Sequence, residues 1–453
     1  MKKIFAVSWV LLILAVIFTL TFGGCASQPA TTTAPPPPKT SAPATSAPPP
    51  PSQTQTSVPP TSAPAPPPKT SAPPTSAPPP PPQAKTLQIA YLAQLEGWAS
   101  MGDVKSLQGG QIAADLYNKK GGLTVDGVNY KIELISEDGK STADGCAAAA
   151  RRLVFDKKIK FIAGSFVFLA GAAAPITEPA KVLRCLSWNV GTPEEIGPKL
   201  PYTFVGNASS LEGAIASAQY LKQFHPDIKT VAVVMPDDGV LPVLSPRVQK
   251  VLSDTGLTMV GGDIILFPND MIDFSPIVAK VVSRKPDGLF QVNGYAPVVG
   301  SILKGIRESN WKGIYGVTLN ASSKEIIAVS GKAAGTNFYT LSPVPGDPQM
   351  PALLNEINDI TMQKYGDISG LYLAGFNAVW TMLKAIEAAK SLDTTVVRDV
   401  WEKLDTIDTC YGTGWMGGLE TYGIRRAVTH KIPIEYVDQT QKSTGAWIEV
   451  RTP

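Results

Sequence analysis

The feature that most constrains this chain is a regular alternation of short apolar runs and amphipathic segments, which starts near Thr86. Runs such as Ile89-Ala90-Tyr91-Leu92 and Val231-Ala232-Val233-Val234 are apolar throughout, which is typical of strands buried on both faces. Helical segments follow after short connections, so the pattern predicts parallel sheets with helices on both faces, an α/β fold. We predict strands at residues 87–92, 130–136, 160–163, 182–187, 230–234, 258–266, 288–292, 313–317, 337–341 and 432–437, and helices at residues 104–119, 143–156, 211–224, 248–255, 274–283, 297–309 and 371–390.

A proline-rich segment precedes this region. Of the 42 prolines in the 453-residue chain, 23 lie between residues 26 and 85, where aliphatic residues are scarce, so this stretch cannot bury a core. An extended spacer of about 60 residues would reach on the order of 190 Å. The remaining 368 residues exceed the usual size of a single core and predict two doubly wound parallel-sheet lobes.

The N-terminus is typical of an exported lipoprotein. Lys2 and Lys3 precede an uncharged apolar run over residues 4–22, which ends at Gly23-Gly24-Cys25. Two small residues before a cysteine resemble a lipobox, so we expect a signal peptide over residues 1–24, a lipidated Cys25 and a disordered tether over residues 25–85. The run is also long enough to span a bilayer, and a retained anchor is the alternative. Both interpretations place the folded region outside the cytoplasm, in the periplasm or at the cell surface, attached to a membrane.

Charge and cysteine content argue against a nucleic-acid partner and against a zinc site. Five of the 40 basic residues lie in the first 85, so the folded region carries 35 basic and 37 acidic side chains, without the basic excess of a nucleic-acid binder. Cys146, Cys185 and Cys410 can form at most one disulfide and are interpreted as buried free thiols. Their spacing resembles no zinc site, and no metal or cofactor is predicted.

Catalytic motifs are not apparent. The two histidines, His225 and His430, are interpreted as surface or loop residues rather than general bases. Residues 412–417 match Gly-x-Gly-x-x-Gly but lack a clear preceding strand and following helix, and are interpreted as a glycine-rich turn. The pairs Asp237-Asp238 and Glu194-Glu195 are interpreted as caps of turns and helices. We therefore do not expect an enzyme.

A set of motifs in fixed order carries a family resemblance over nearly all of residues 86–453. They are Ile89-Ala90-Tyr91-Leu92, Glu96-Gly97, Gly102-Asp103, Asn118-Lys119-Lys120-Gly121-Gly122, Glu137-Asp138, Ile162-Ala163-Gly164, Ala172-Ala173-Ala174-Pro175-Ile176, Val231-Ala232-Val233-Val234, Asp273-Phe274-Ser275, Lys285-Pro286-Asp287-Gly288 and Gly331-Lys332-Ala333-Ala334-Gly335. In order and spacing they resemble type I periplasmic binding proteins, specifically the leucine/isoleucine/valine-binding family of ABC importers.

The resemblance implies an organisation and a function. Three crossings would join the lobes near Asn207, Gly335 and Trp415, so that lobe one comprises residues 86–206 and 336–415 and lobe two residues 207–335 and 416–453. The protein would be a monomeric, non-enzymatic substrate-binding lipoprotein that closes on a small-molecule ligand and presents it to an ABC permease. A membrane-tethered sensor that passes ligand occupancy to a partner protein is the alternative.

The ligand site departs from the family pattern. Amino-acid binders hold the α-carboxylate with a serine and a threonine, where Val167 and Gly191 stand here, and the ammonium with a tyrosine and an acidic residue, where Val240 and Leu319 stand; Tyr295 remains as a matching tyrosine. Burying an ammonium without partners is costly, so an aromatic or aliphatic acid or a neutral amide fits better than a free amino acid. The predicted ligand contacts are Trp98, Ser165, Phe166, Val167, Asn189, Val190, Gly191, Tyr295 and Asn320, with Phe168, Trp188 and Asn293 near them. Phe166 and Phe168 fit the core of the lobe equally well.

Overall fold

The computed structural model describes residues 85–164, 167–191, 193–237, 239, 241–318 and 321–452. The described residues all belong to one compact unit. The expected signal peptide, the lipidation site Cys25 and the proline-rich tether lie outside the described residues. Within the described part, no helix is both long enough and apolar enough to cross a membrane.

Strands and helices alternate along this unit. The strands are β1 (Lys85–Ala93), β2 (Leu123–Val125), β3 (Val128–Asp138), β4 (Phe161–Gly164), β5 (Leu183–Leu186), β6 (Thr203–Val205), β7 (Thr230–Pro236), β8 (Thr258–Met259), β9 (Ile265–Phe267), β10 (Gly288–Gln291), β11 (Ile314–Val317), β12 (Phe338–Thr340), β13 (Thr406–Thr409), β14 (Gly412–Gly417), β15 (Ala427–Thr429), β16 (Lys431–Val437) and β17 (Ser443–Glu449). The helices are α1 (Ser100–Lys119), α2 (Ala143–Arg151), α3 (Val167–Thr177), α4 (Pro193–Ile196), α5 (Ser210–Phe224), α6 (Leu241–Thr255), α7 (Ser275–Ser283), α8 (Ala296–Glu308), α9 (Ser323–Ser330), α10 (Ala352–Tyr365), α11 (Gly370–Ala389), α12 (Thr394–Trp401) and α13 (Leu419–Tyr422), and a π-helical turn at Arg152–Asp156 extends α2.

The strands form two sheets, one in each lobe. The first has the order β13-β14-β15-β6-β5-β4-β1-β3-β2 and the second the order β17-β16-β12-β11-β10-β7-β8, with β9 paired to β7. The central pairs are parallel, as in β1 with β3 and β4 and in β10 with β7 and β11. Antiparallel pairs lie toward the sheet ends, as in β2 with β3 and β16 with β17. The expected α/β fold of two largely parallel-sheet lobes is confirmed.

The chain passes between the two sheets at three places. The first passage follows β6 and contains Asn207. The second follows β12, which pairs with β11 in the second sheet, so it lies after Thr340 rather than near Gly335. The third is His430, between β15 of the first sheet and β16 of the second, rather than Trp415, which lies in β14.

Most predicted elements are present, and the differences have local causes. The predicted strand over residues 258–266 is two short strands, β8 and β9, because Gly261 and Gly262 adopt positive φ between them. Residues 412–417 form the strand β14 of a hairpin with β13, so the interpretation as a glycine-rich turn is wrong. The turn of that hairpin is Cys410-Tyr411.

The burial of the cysteines agrees with the sequence prediction, whereas that of one histidine does not. Cys146, Cys185 and Cys410 are free and buried, as expected. His225 is half-buried at the end of α5. His430 lies in the connection between β15 and β16, as a loop residue would, but it is buried at 3% exposure rather than on the surface. The ring of His430 stacks on Tyr411, with 4.2 Å between the centroids.

The core of lobe one depends on a close helix crossing. α1 and α11 meet at Gly109 and Gly375, where a β-carbon would overlap the carbonyl oxygen of Tyr372 or of Ser106, respectively. This approach fixes the first turns of α1 against the start of α11. It thereby positions the residues of α1 that face the second lobe.

Candidate ligand site

The candidate site lies between the two lobes, where the loops after the parallel strands of each sheet face each other. In open α/β sheets, ligands bind outside the carboxyl ends of the strands. In lobe one the relevant segments are the start of α1 and the loop after β5, and in lobe two they are the start of α8 and α9. The two lobes touch here, because a β-carbon at Gly102 of α1 would lie 3.0 Å from the hydroxyl of Tyr295.

Polar groups without partners lie on the lobe-one side. Asp103, in the first turn of α1, is fully buried, and its Oδ2 accepts a hydrogen bond from the Gln94 backbone amide at 3.0 Å. Among the described residues, no group donates to its Oδ1, and the buried hydroxyls of Tyr91 and Ser187 also have no hydrogen bond of ordinary geometry. Burial raises the pKa of Asp103 to about 8, although the bond from Gln94 opposes this shift. Such groups are rare in folded proteins and mark positions where a further partner would be stabilising.

Tyr295 covers this polar group from the second lobe. It precedes α8 directly, and its hydroxyl is buried without a hydrogen-bond partner among the described residues. Burial raises the pKa of Tyr295, and the nearby carboxyl of Asp103 raises it further. Tyr295 and Asp103, which belong to different lobes, are therefore close neighbours.

The loop after β5 is held by its own side chains. Trp188 donates from Nε1 to the Ser106 hydroxyl at 3.0 Å, which in turn donates to the Leu371 carbonyl at 3.0 Å. The backbone amides of Val190 and Gly191 donate to the carboxylate of Glu195 at 3.0–3.1 Å. Glu195, which lies within α4, therefore satisfies amides of the preceding loop.

The same loop meets the second lobe. The carbonyls of Asn189 and Val190 accept from the amides of Ser210 and Leu211, at 3.0 and 3.2 Å. Arg247 of α6 donates to the Gly191 carbonyl. The side-chain amide of Asn189 is buried and, within the described part of the chain, has no hydrogen bond of ordinary geometry.

An ion pair joins the lobes on the other side of the cleft. The Lys105 ammonium on α1 lies 2.9 Å from the Glu325 carboxylate on α9 and 2.7 Å from that of Asp367. Burial disfavours the charged lysine, but the hydrogen bonds to Asp367 and Glu325 outweigh it and raise the pKa of Lys105. The lysine charge is therefore already neutralised by two carboxylates.

A largely apolar cavity of about 510 Å³ lies beside this ion pair and receives residues from both lobes. Its volume falls within the range of small-molecule sites. It is lined by Met101, Lys105, Tyr295, Ala296, Pro297, Ala321, Glu325, Ala328, Val329, Ser369 and Leu371.

The structure brings together some of the predicted ligand contacts. Tyr295 lines the cavity, while Asn189, Val190 and Gly191 form the loop at the lobe junction. Trp98 is 47% exposed on the loop before α1, where its Nε1 donates to the Ser141 carbonyl at 3.2 Å. Val167 is the first residue of α3. Ser165, Phe166 and Asn320 lie outside the described residues.

Sequence reasoning missed Met101, Lys105, Asp103 and Leu371. Asp103 directly follows Gly102 in a motif that was noted only for the family resemblance. Met101 and Leu371 lie at the starts of α1 and α11. These helices are far apart in the sequence and meet only through the crossing at Gly109 and Gly375. No local pattern signals that contact.

Known proteins match this chain over most of the described region. A family model described as periplasmic binding protein matches residues 86–427. The Leu/Ile/Val-binding protein BraC3 of Rhizobium johnstonii is 29% identical over 264 residues, which is 56% of this chain and 67% of that protein.

Two solved structures show the same fold. The branched-chain amino acid transporter substrate-binding protein LivJ of Streptococcus pneumoniae, in complex with isoleucine, matches with a TM-score of 0.66 at 16% identity, covering 81% of this chain and 100% of that one. An ABC transporter solute-binding protein of R. palustris, in complex with benzoate, matches with a TM-score of 0.64 at 13% identity, covering 81% and 97%.

Proposed function

We propose that this chain, which belongs to the periplasmic binding protein family, is the substrate-binding lipoprotein of an ABC importer of the branched-chain amino acid type. Members of this family are binding proteins rather than enzymes and act outside the cytoplasm. The chain would capture a small ligand between its lobes, close on it and present it to the permease as a monomer.

One observation carries this proposal. The cavity of about 510 Å³ is lined from α1 and α11 of lobe one and from α8 and α9 of lobe two, so a ligand there would contact both lobes simultaneously. A ligand that contacts both lobes favours the closed arrangement by the affinity that it gains on closure. Tyr295, which lines the cavity, has a buried hydroxyl without a hydrogen-bond partner among the described residues and offers one polar contact there.

The ligand class follows from relatives and from the lining. BraC3 is named for leucine, isoleucine and valine, and the two structural neighbours hold isoleucine and benzoate. An apolar cavity of this size suits a branched or aromatic body with one or two polar groups. We propose a small amino acid or a related organic acid, including an aromatic one, or an amide, with Trp98, Ser165, Phe166, Val167, Asn189, Val190, Gly191, Tyr295 and Asn320 as candidate contacts.

A thermal-shift screen tests the proposal. The protein used comprises residues 79–453, the compact unit, and the compounds are amino acids, aromatic and aliphatic acids, and amides. A compound that binds only the folded state raises the melting temperature in a concentration-dependent manner. We expect at least one compound to do so. If no compound of the panel raised the melting temperature, the proposed ligand class would be contradicted.

A further inference from the structure

A second cavity, of about 420 Å³, lies in lobe one at the end of the sheet opposite to the candidate ligand site. It is formed by the first residues of β1 and by the segment that directly precedes β4, together with parts of β3 and of the loop after α11. The ligand site, in contrast, receives loops that follow the parallel strands, and the two ends of parallel strands lie at opposite edges of a sheet. A partner bound in this cavity would therefore leave the cleft between the lobes free.

Lysine side chains dominate the charge of this cavity. Lys157, Lys158 and Lys160 line it. Lys131 lies beside it, because this residue of β3 is opposite Thr86 of β1, which is also a lining residue. All four lysines are exposed. We call the cavity and these four lysines the basic groove.

Carboxylates offset only part of this charge. Lys157 lies 2.7 Å from the carboxylate of Glu137, but the other three lysines form no ion pair among the described residues. Glu133 also lines the groove, and Asp393 interacts with Lys160 at longer range. The positive excess is local, since residues 86–453 carry 35 basic and 37 acidic side chains.

An exposed aromatic ring lies next to the groove. Phe155, in the π-helical turn Arg152–Asp156, is 53% exposed and stands two residues before Lys157. The two residues before it, Leu153 and Val154, are buried in the lobe. An exposed aromatic ring beside lysines is the combination found at membrane interfaces, where the ring enters the headgroup boundary and the ammonium groups attract anionic lipids.

The position of the groove in the chain favours a membrane over a soluble anion. β1 begins at Lys85, directly after the proline-rich segment that is expected to link the lobes to a membrane, and the next residue, Thr86, lines the groove. A tether that enters at this edge raises the effective concentration of the groove at the membrane surface.

We propose that the basic groove and Phe155 dock lobe one reversibly on the anionic headgroups of the membrane. Because the groove and the cleft lie at opposite ends of the sheet, the docked protein would direct its cleft away from the bilayer, where it can collect ligand. Delivery to the permease would then require release from the headgroups. This inference rests on the membrane attachment in the proposed function, but not on the identity of the ligand.

Vesicle sedimentation tests the docking. Residues 79–453, which lack the expected lipid anchor, are mixed with vesicles of phosphatidylcholine alone or of phosphatidylcholine and phosphatidylglycerol in equal parts. At about 50 mM NaCl we expect binding to the anionic vesicles to exceed binding to the neutral ones by roughly ten-fold or more, and to be lost at about 500 mM NaCl, because salt screens exposed charges. Equal binding to both kinds of vesicle, or no binding to either, would overturn the proposal.

Two triple variants with the same change in net charge assign the contact to the basic groove. Replacement of the three unpaired groove lysines by glutamine should reduce binding to the anionic vesicles by roughly ten-fold or more. The control makes the same change at three exposed lysines shortly before β7, β10 and β11 of lobe two and should bind as the wild type does. Equal losses in both variants would overturn the assignment to the groove, and melting temperatures verify that both fold. The groove variant is Lys131→Gln, Lys158→Gln and Lys160→Gln, and the control is Lys229→Gln, Lys285→Gln and Lys312→Gln.

A second pair of variants tests the aromatic contact. Phe155→Ala should weaken binding to the anionic vesicles by about three-fold or more, because the ring no longer enters the headgroup boundary. Phe224→Ala removes a ring of similar exposure, 55%, from lobe two and should leave binding unchanged. Equal effects of the two changes would overturn the role of Phe155. Absence of vesicle binding would leave the capture of a small ligand unaffected, since the melting temperature with compound measures that capture separately.

Discussion

His430 shows how a single residue at a lobe crossing can make stability depend on pH. Its Nδ1 lies 2.9 Å from the Lys431 carbonyl and its Nε2 lies 3.0 Å from the Asn207 side chain, so the ring joins the first and third passages between the sheets. Burial lowers the pKa of His430 to about 4, although the contact with the Lys431 carbonyl opposes this shift. The ring is therefore neutral in the folded protein at neutral pH.

This shift predicts a loss of stability in mild acid. Because the folded pKa is about 4 and the ordinary value is 6.5, the unfolded chain binds a proton first as the pH falls. The free energy of unfolding should therefore decrease between about pH 6.5 and pH 4. His430→Gln removes this titration, so its urea midpoint should fall less between pH 7 and pH 5 than that of the wild type.

The same measurement on His225→Gln serves as the comparison. Burial also lowers the pKa of His225, but this residue is half-buried, so its variant should remove less of the pH dependence. If His430→Gln and the wild type lost the same stability between the two pH values, the neutral buried state of His430 would be excluded.

At the scale of elements, the crossing of α1 and α11 organises the lobe-one side of the site. Gly109→Ala should destabilise the protein by about 1–3 kcal/mol, because the added methyl group overlaps the Tyr372 carbonyl and must separate the helices. Gly171→Ala in α3 is the matched control, since no atom lies within 4 Å of the added group there. That change should be neutral or stabilising by up to about 1 kcal/mol. Equal effects of both changes in urea unfolding would contradict the close crossing.

The pair of Lys105 on α1 and Glu325 on α9 belongs to the same scale, because it connects helices of different lobes. Lys105→Met should favour a more open arrangement and increase the radius of gyration measured by small-angle scattering without ligand. The free energy of unfolding should change by only about 1 kcal/mol or less, since the pair is partly exposed. Lys119→Met removes a pair within lobe one, with Glu356, and should leave the radius unchanged. An unchanged radius in Lys105→Met would argue against a role in closure.

The strands, the lobe crossings and the site residues differ in how far the sequence alone could predict them. The central strands β1, β7 and β10 were predictable because strands buried on both faces are continuous apolar runs. The second and third crossings were not, since β12 and β15 have three residues each and their sheet membership depends on distant partners. Tyr295 could be placed by the family pattern. The closeness of Asp103 to Tyr295, and the hydrogen bonds from the loop amides to Glu195, depend on packing that no local pattern specifies.

At the scale of the whole molecule, the N-terminal cysteine should determine where the protein acts. If Cys25 is lipidated, the full chain expressed in a bacterium should incorporate labelled palmitate and fractionate with membranes. Cys25→Ala should abolish the label, whereas Ser27→Ala should retain it. A wild-type chain that fractionates with membranes but takes up no label would contradict the lipid anchor at Cys25 and favour a retained apolar anchor over residues 4–22.

The central claim is that a small ligand is held in the cavity between the lobes. Calorimetric titration of residues 79–453 with the most stabilising compound of the screen tests it most directly, in wild type and in two variants. Ala328→Trp fills the cavity from the exposed face of α9, and Val396→Trp makes a bulky change on exposed α12, which does not line the cavity. We expect binding in the wild type and in Val396→Trp but a loss of roughly ten-fold or more in Ala328→Trp, because the ligand needs that volume. Equal affinity in all three proteins would contradict the account.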